Sequence, residues 1–333
     1  MNQAEFRNAI LQGISKDLPP TKPYDYNANH APIRKDILSK EQKKLALRNA
    51  LRYFAPEHHS VLAKEFAEEL EKYGRIYMYR FKPEYEMYAR PIDEYPHKSK
   101  QAASIMHMIQ NNLDPRVAQH PYELITYGGN GAVFQNWVQY LLTMQYLAEM
   151  TEEQTLSMYS GHPMGLFPSN TYAPRVVITN GMVIPNYSSA NEYEKLNALG
   201  VSQYGQMTAG SYMYIGPQGI VHGTTITLLN AARLNKLNNS EIPIFVSSGL
   251  GGMSGAQPKA AKIAGMIGII AELNPKAVQT RYAQGWVDEV YDELDELCNK
   301  VIKYKKEKKA VSIAYKGNII DLWKALLDAN IHV

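Results

Sequence analysis

Ile242-Pro-Ile-Phe-Val-Ser-Ser-Gly-Leu-Gly-Gly-Met-Ser-Gly-Ala-Gln257 is the stretch of this 333-residue chain from which the fold of its second half is read. A short apolar run, Ile244, Phe245 and Val246, feeds straight into glycines. A helix-like segment opens at Pro258, and the next apolar run meets an acid at Glu272. That is the order a dinucleotide-binding βαβ unit needs. Glycine permits the tight turn and lets backbone approach a pyrophosphate, while a helix start supplies free N–H groups and a positive dipole. Glu272 lies 21 residues beyond Gly251, close to the roughly 20 expected of a carboxylate that binds the ribose hydroxyls. An acid at that place repels a 2′-phosphate, and no Arg stands next to it, so the pattern favours NAD over NADP. One position departs: Ser254 stands where the third glycine is expected, flanked by Gly252 and Gly255. The plainer alternative is an ordinary α/β loop that binds nothing.

From Gly223 onward the rhythm is regular. Helix is predicted over 224–237, strand over 242–246, helix over 258–267 and strand over 269–273. Helix follows over 287–308, strand over 310–315 and helix over 319–329. Such alternation argues a parallel sheet covered on both faces. Gly317-Asn318 opens the last helix at the carboxyl end of a strand, where ligands of open α/β sheets sit. Ile331-His332-Val333 reads as the start of a further strand. A doubly wound domain normally has more strands by that point, so the dinucleotide domain is expected to be incomplete.

The first part is organised differently. Residues 1–40 carry Pro19, Pro20, Pro23 and Pro32, which break any long element and predict a short helix and an irregular arm. Helices are predicted over 40–54, 60–73 and 99–111, with Gly74 as a C-cap and Asp114-Pro115 as a turn. Leu124-Ile125-Thr126-Tyr127 reads as a strand end running into Gly128-Gly129-Asn130-Gly131 and a helix over 133–150. This second strand–glycine–helix junction could also cradle an anion. Short strands follow, at 161–167 and 174–179. The stretch 204–219 is dense in glycine, hydroxyls and amides, which suits either a polar ligand or a tight connection. The expected fold class is therefore α/β: a helical, Tyr/Pro-rich extension over 1–98 and a mixed α/β core portion over 99–215. An incomplete, apparently truncated Rossmann-like parallel-sheet NAD domain is expected over 216–333.

Composition bounds the partners. Hydrophobic residues are 45% and charged residues 20%, which places the chain among globular proteins. A net charge of +3 is too small to argue for nucleic acid or an anionic membrane. The Lys-rich run 303–309 reads as a solvated helix end. The single cysteine, Cys298, rules out an internal disulfide or a Cys-based metal site and reads as packing in a reducing cytosol. No stretch approaches a membrane span, and no signal peptide is visible, so a soluble, cytoplasmic protein is expected. The 24 tyrosines, dense over 73–95, suit a subunit interface or half-buried packing. His58-His59 and His107 have no second cluster at ligand spacing, so no metal site is expected. His162 and His222 sit in polar loops, where contact with substrate competes with plain backbone satisfaction.

Taken together, Asn111-Asn-Leu-Asp-Pro115, Tyr127-Gly-Gly, Ala173-Pro-Arg-Val, Tyr204-Gly-Gln-Met-Thr-Ala-Gly-Ser, Ile215-Gly-x-Gln-Gly-Ile, Gly249-Leu-Gly-Gly-Met-x-Gly-Ala-Gln-Pro258 and Gly317-Asn318 resemble the urocanase family, over about residues 105–333. The resemblance implies a cytosolic, dimeric lyase of histidine breakdown that adds water to urocanate, giving imidazolone propionate. It implies tightly bound NAD⁺ acting as an electrophile toward the imidazole, not as a hydride carrier. By position, Gly128, Gly129, Gln206, Gly252, Met253, Ser254, Glu272, Asn318 and Ile319 would contact NAD. Tyr127 would lie beside the nicotinamide, where a phenol favours orientation of substrate over base work. Many members carry Arg five residues past the acid, where this chain has Ala277. The family's Gln-Thr-Ser segment, its active-site cysteine and the returning part of its core are expected beyond Val333, and Cys298 matches none of them. The chain as it stands is therefore expected to be an incomplete portion with little or no activity.

Two other readings stay open on the residues. An ordinary NAD-dependent dehydrogenase would need a proton-handling residue and a dissociable cofactor, and no His or Lys signature for either is evident. A non-catalytic assembly or binding module would use the glycine loops only as turns.

Overall fold

The structure is a computed structural model and describes residues 1–34, 36–127, 132–179, 189–203, 207–235 and 242–332. The chain forms two compact units, Met1–Ile215 and Gly216–Val333.

In the first unit several helices begin at side-chain caps, though those at His59–Tyr73 and Lys100–Leu113 do not. Asn2 with Glu5 and Ser39 with Gln42 form capping boxes for α1 (Gln3–Gln12) and α2 (Lys40–Leu51). α3 (His59–Tyr73) stops at Gly74, whose φ of 70° needs glycine. α4 (Lys100–Leu113) follows Ser99, and α5 (Trp137–Glu149) starts behind Asn136, whose side chain accepts the Gln139 N–H. α5 is apolar nearly all round and is buried accordingly, with α1 and α4 packed on it. Phe6, Ile10, Leu62 and Phe66 share one core with Ile109, Leu113, Trp137 and Met144, so the first hundred residues pack into the unit and not beside it. A small sheet has the order β2-β1-β3, from β1 (Gln154–Tyr159), β2 (His162–Pro168) and β3 (Val176–Thr179). Its hairpin turns at Ser160-Gly161, both at positive φ, as a two-residue turn requires. Two short helices, α6 (Ala190–Ala198) and α7 (Met207–Gly210), complete the unit.

The tyrosine-rich segment turns inward. Tyr77, Tyr85 and Tyr95 are buried. The phenols of Tyr85 and Tyr140 are 3.1 Å apart, Gln110 Nε2 donates to Tyr140 at 3.2 Å, and Gln110 Oε1 accepts from Tyr95 and Arg90. A buried phenol needs such a partner. Buried Glu69 accepts the N–H groups of Met78 and Tyr79, and loss of solvent pushes its carboxyl up to about 7.

The predicted strand at 124–127 does not form: Leu124 lies at φ 60°, and Ile125 makes only isolated bridges to His120 and Ala132. The following helix begins at Trp137, not 133, because the cap is Asn136.

The second unit opens with α8 (Pro217–Leu234), proline in its first turn. Four parallel strands follow in the order β4-β5-β7-β6: β4 (Ile244–Ser248), β5 (Ile267–Ala271), β7 (Val311–Tyr315) and β6 (Glu289–Tyr291). α9 (Gln257–Ile263), α10 (Pro275–Ala283), α11 (Leu294–Glu307) and α12 (Ile319–Asp328) join them. Ile267, Ile269 and Ala271 face Leu297, Val301 and Leu322 of α11 and α12. Ile270 faces Leu250, Val278 and Val287 on the other side. The sheet is thus covered on both faces, which is why β5 and β7 are buried at every residue. Cys298 is buried in this core, and burial raises its thiol above the usual range.

Three expectations are corrected here. α9 ends at Ile263 because Gly265, at φ 76°, turns the chain into β5 two residues earlier than predicted. The helix predicted over 287–308 begins only at Leu294, and α10 and β6 precede it, unpredicted. The strand predicted at Ile331 is instead a helix cap. Asn330 is left-handed, Ile331 N–H reaches Leu326 O and Asn330 N–H reaches Leu327 O, folding Ile331 into the core.

Candidate functional site

The register of the second sheet puts Ser248, Ala271 and Tyr315 side by side at the carboxyl ends of β4, β5 and β7. Gly249 and Glu272 follow directly, and Gly317-Asn318 follow Tyr315 after Lys316, so all leave the same end of the sheet. This is the crevice in which open α/β sheets bind ligands.

Gly249 takes φ 93°, and its N–H extends the ladder to Ala271 O at 2.8 Å. A Cβ there would crowd Ser254, whose Oγ would lie 3.0 Å away, so the serine closes the turn against a bare backbone. Leu250 is buried and anchors the loop in the core. Gly251, Gly252 and Met253 are exposed, and Ser254 is half-buried. Among the described residues no protein acceptor takes the N–H groups of 251–254, while Gly251 O accepts Gly255 N–H. A Cβ added to Gly251 would meet nothing within 4 Å. Gln257 Oε1, at the start of α9, is buried without a hydrogen-bond partner among the described residues. Beneath the loop, a Cβ on Gly268 would come 2.7 Å from Ala261 Cβ, so glycine lets α9 lie close on β5.

Glu272 is tied to the same loop. Its Oε2 accepts Leu250 N–H at 2.6 Å and its Oε1 accepts Asn274 N–H at 2.8 Å. Asn318 caps α12, its Oδ1 accepting Ile320 N–H at 2.9 Å, with Ile319 as the first helical residue. Of the positions expected to touch NAD, Gly252, Met253, Ser254, Glu272, Asn318 and Ile319 thus stand on adjacent strand ends. Gly128, Gly129 and Gln206 lie outside the described residues.

Sequence reasoning missed Arg281 on α10. Its Nε donates to Leu250 O at 3.1 Å, its Nη2 to Gly251 O at 2.8 Å and its Nη1 to Gln284 Oε1 at 2.6 Å. No local pattern announces it, because the contact spans 30 residues and α10 itself went unread.

In the first unit, Tyr127 is buried. Its hydroxyl lies 2.5 Å from Thr208 Oγ1, and its ring stacks on Tyr214 with centroids 4.3 Å apart. Asn111 Nδ2 holds the Tyr214 carbonyl at 3.0 Å. Tyr127 and Thr208, from two of the quoted motifs, therefore meet at one phenol, and Asn111 from a third holds the tyrosine stacked on it. The loop expectation for two histidines is corrected. His162 begins β2, its Nδ1 is 2.9 Å from the Tyr53 hydroxyl, and burial with Arg52 nearby pushes it down to about 4. His222 is exposed on α8. His58, His59 and His107 each have a ring nitrogen near a backbone carbonyl. Among the described residues no group of three potential metal-ligating side chains occurs, and no helix is long and apolar enough to cross a membrane.

Comparison with known proteins matches residues 87–213 to the urocanase N-terminal domain and residues 216–333 to the urocanase Rossmann-like domain. The chain belongs to the urocanase family. It is 63% identical over 326 residues to a probable urocanate hydratase of Dictyostelium discoideum, covering 96% of this chain and 48% of that protein. It is 60% identical over 322 residues to a urocanate hydratase of Homo sapiens, again covering 96% and 48%. A probable urocanate hydratase of Caenorhabditis elegans is 56% identical over 309 residues, covering 93% and 46%. This urocanase-family chain therefore spans about half the length of the curated relatives it matches.

Proposed function

We propose that this chain is the nucleotide-binding portion of a urocanate hydratase, a lyase of histidine degradation that adds water to urocanate to give imidazolone propionate. The observation that carries the reading is the loop at the end of β4. Its four successive N–H groups, 251–254, lack protein acceptors among the described residues, a Cβ built on Gly251 would stand in open space, and the carboxylate of Glu272 braces the same loop.

That arrangement fits NAD⁺. Backbone N–H groups of Gly252, Met253 and Ser254 suit a pyrophosphate. Glu272 keeps lone pairs beyond its two backbone bonds for ribose hydroxyls, and Asn318 and Ile319 bring the start of a second helix to the same crevice. Bound NAD⁺ supplies an electron-accepting nicotinamide ring. Gly128, Gly129 and Gln206 are assigned to the cofactor by family resemblance. Tyr127 is assigned to orient substrate, because its hydroxyl and ring are both held, by Thr208 and Tyr214. A phenol fixed by both contacts presents its remaining hydrogen-bonding positions in set directions, which favours a single substrate pose. The reading carries with it a homodimer, a cytoplasmic location and no nucleic-acid partner.

The test follows urocanate absorbance with and without NAD⁺, using this chain and a version extended to the length of the curated relatives. Loss of absorbance with the extended protein is expected. No loss with either, in folded protein, contradicts the proposal.

A further inference from the structure

A loop with glycine at 249, 251 and 252 has a large conformational entropy to lose when it closes on a ligand. Here it is already restrained from two sides. Glu272 takes the N–H of Leu250, and the Arg281 guanidinium takes the carbonyls of Leu250 and Gly251. Arg281 is itself held: Gln284 Oε1 accepts from Nη1, and the Trp286 ring lies 5.2 Å from the guanidinium carbon. It passes over Gly255, where an added Cβ would collide with the guanidinium.

The consequence follows from peptide planarity. In a trans peptide the C=O of one residue and the N–H of the next point in opposite directions. Carbonyls of Leu250 and Gly251 aimed at Arg281 therefore turn the N–H groups of Gly251 and Gly252 away from it, and those N–H groups have no protein acceptor among the described residues. Resting on the NAD reading above, we infer that Arg281 is the positioning residue of the pyrophosphate loop. It touches no phosphate; it presets the backbone that does. The fork geometry matters, because a lysine ammonium cannot span two carbonyls and a glutamine in one plane. Gly255 has a matching role, as the gap through which the guanidinium reaches the loop.

The experiment uses the whole chain and three variants, Arg281→Ala, Arg281→Lys and Gly255→Ala, with NAD⁺ affinity by calorimetry and amide hydrogen exchange of 249–256 without ligand. All three should lose NAD⁺ affinity on the order of tenfold to a hundredfold, as removal of a supporting shell does. Added methylguanidinium should partly restore Arg281→Ala and leave the wild type unchanged. Exchange should rise at the Leu250 and Gly255 amides while β5 and β7 keep their protection. Wild-type affinity in Arg281→Ala, or unchanged exchange in the loop, overturns the inference. If the wild type binds no NAD⁺, the cofactor reading fails by itself. The exchange data then decide the positioning role: loop amides released in the variants support it, and loop amides as protected as in the wild type sink it.

Discussion

Trp137→Ala should lower the stability of the first unit by about 3–5 kcal/mol, the range for removing a large buried aromatic. Trp137 is fully buried at the first turn of α5, edge-on to Tyr140 with centroids 5.6 Å apart. Its Nε1 donates to Tyr122 O at 3.0 Å, so the change opens a cavity and strands a carbonyl as well. The chain has two compact units, and a single two-state transition is not assumed. Denaturant unfolding should therefore be read by amide exchange in each unit. Protection of α5 and α4 should fall by the full amount and that of β5 and β7 should not change. A loss below about 1 kcal/mol would mean that α5 is not the centre of its core.

Glu272→Ala should weaken NAD⁺ binding on the order of tenfold to a hundredfold, the equivalent of one hydrogen bond to a charged group. It should also destabilise the second unit by about 1–3 kcal/mol, since Leu250 and Asn274 both donate backbone N–H groups to that carboxylate. Glu272→Gln keeps one oxygen acceptor and should lose less of both. The two effects are separable. A stability loss with unchanged NAD⁺ affinity would reduce Glu272 to a brace for the loop, and the ribose assignment would fall.

The part of this fold legible in the sequence is the part governed by short-range rules. Ile267–Ala271 and Val311–Tyr315 are buried on both faces, so they read as near-continuous apolar runs, interrupted by Gly268 and Ser312. Glycine at 249 is needed for its backbone angle, and the acid follows at the distance a βαβ crossover sets. β6 is three residues long, too short to show a period, and it was absorbed into the helix behind it. α10 did announce itself, with Asn274 as cap and Pro275 in the first turn, but its apolar face is only Ala277 and Val278. Leu124 gave no warning, because a leucine at positive φ contradicts its own preference. The rest depends on long-range pairing. Arg281 meets residues 30 and 31 positions away, Tyr127 meets Thr208 81 positions on, and His30 lies 2.6 Å from Glu123 across 93. Spacing rules have no reach at such separations.

Gly251→Val tests the central claim most directly, because the fold has room for a Cβ at this position and a bound nucleotide would leave none. A Cβ at Gly251 meets no atom within 4 Å, so the variant should melt with the wild type, within about 0.5 kcal/mol. NAD⁺ titrated into both proteins by calorimetry should bind the wild type and be lost, or weakened at least about tenfold, in Gly251→Val. Equal binding by the two folded proteins, or none by the wild type, would contradict a nucleotide site at the end of β4.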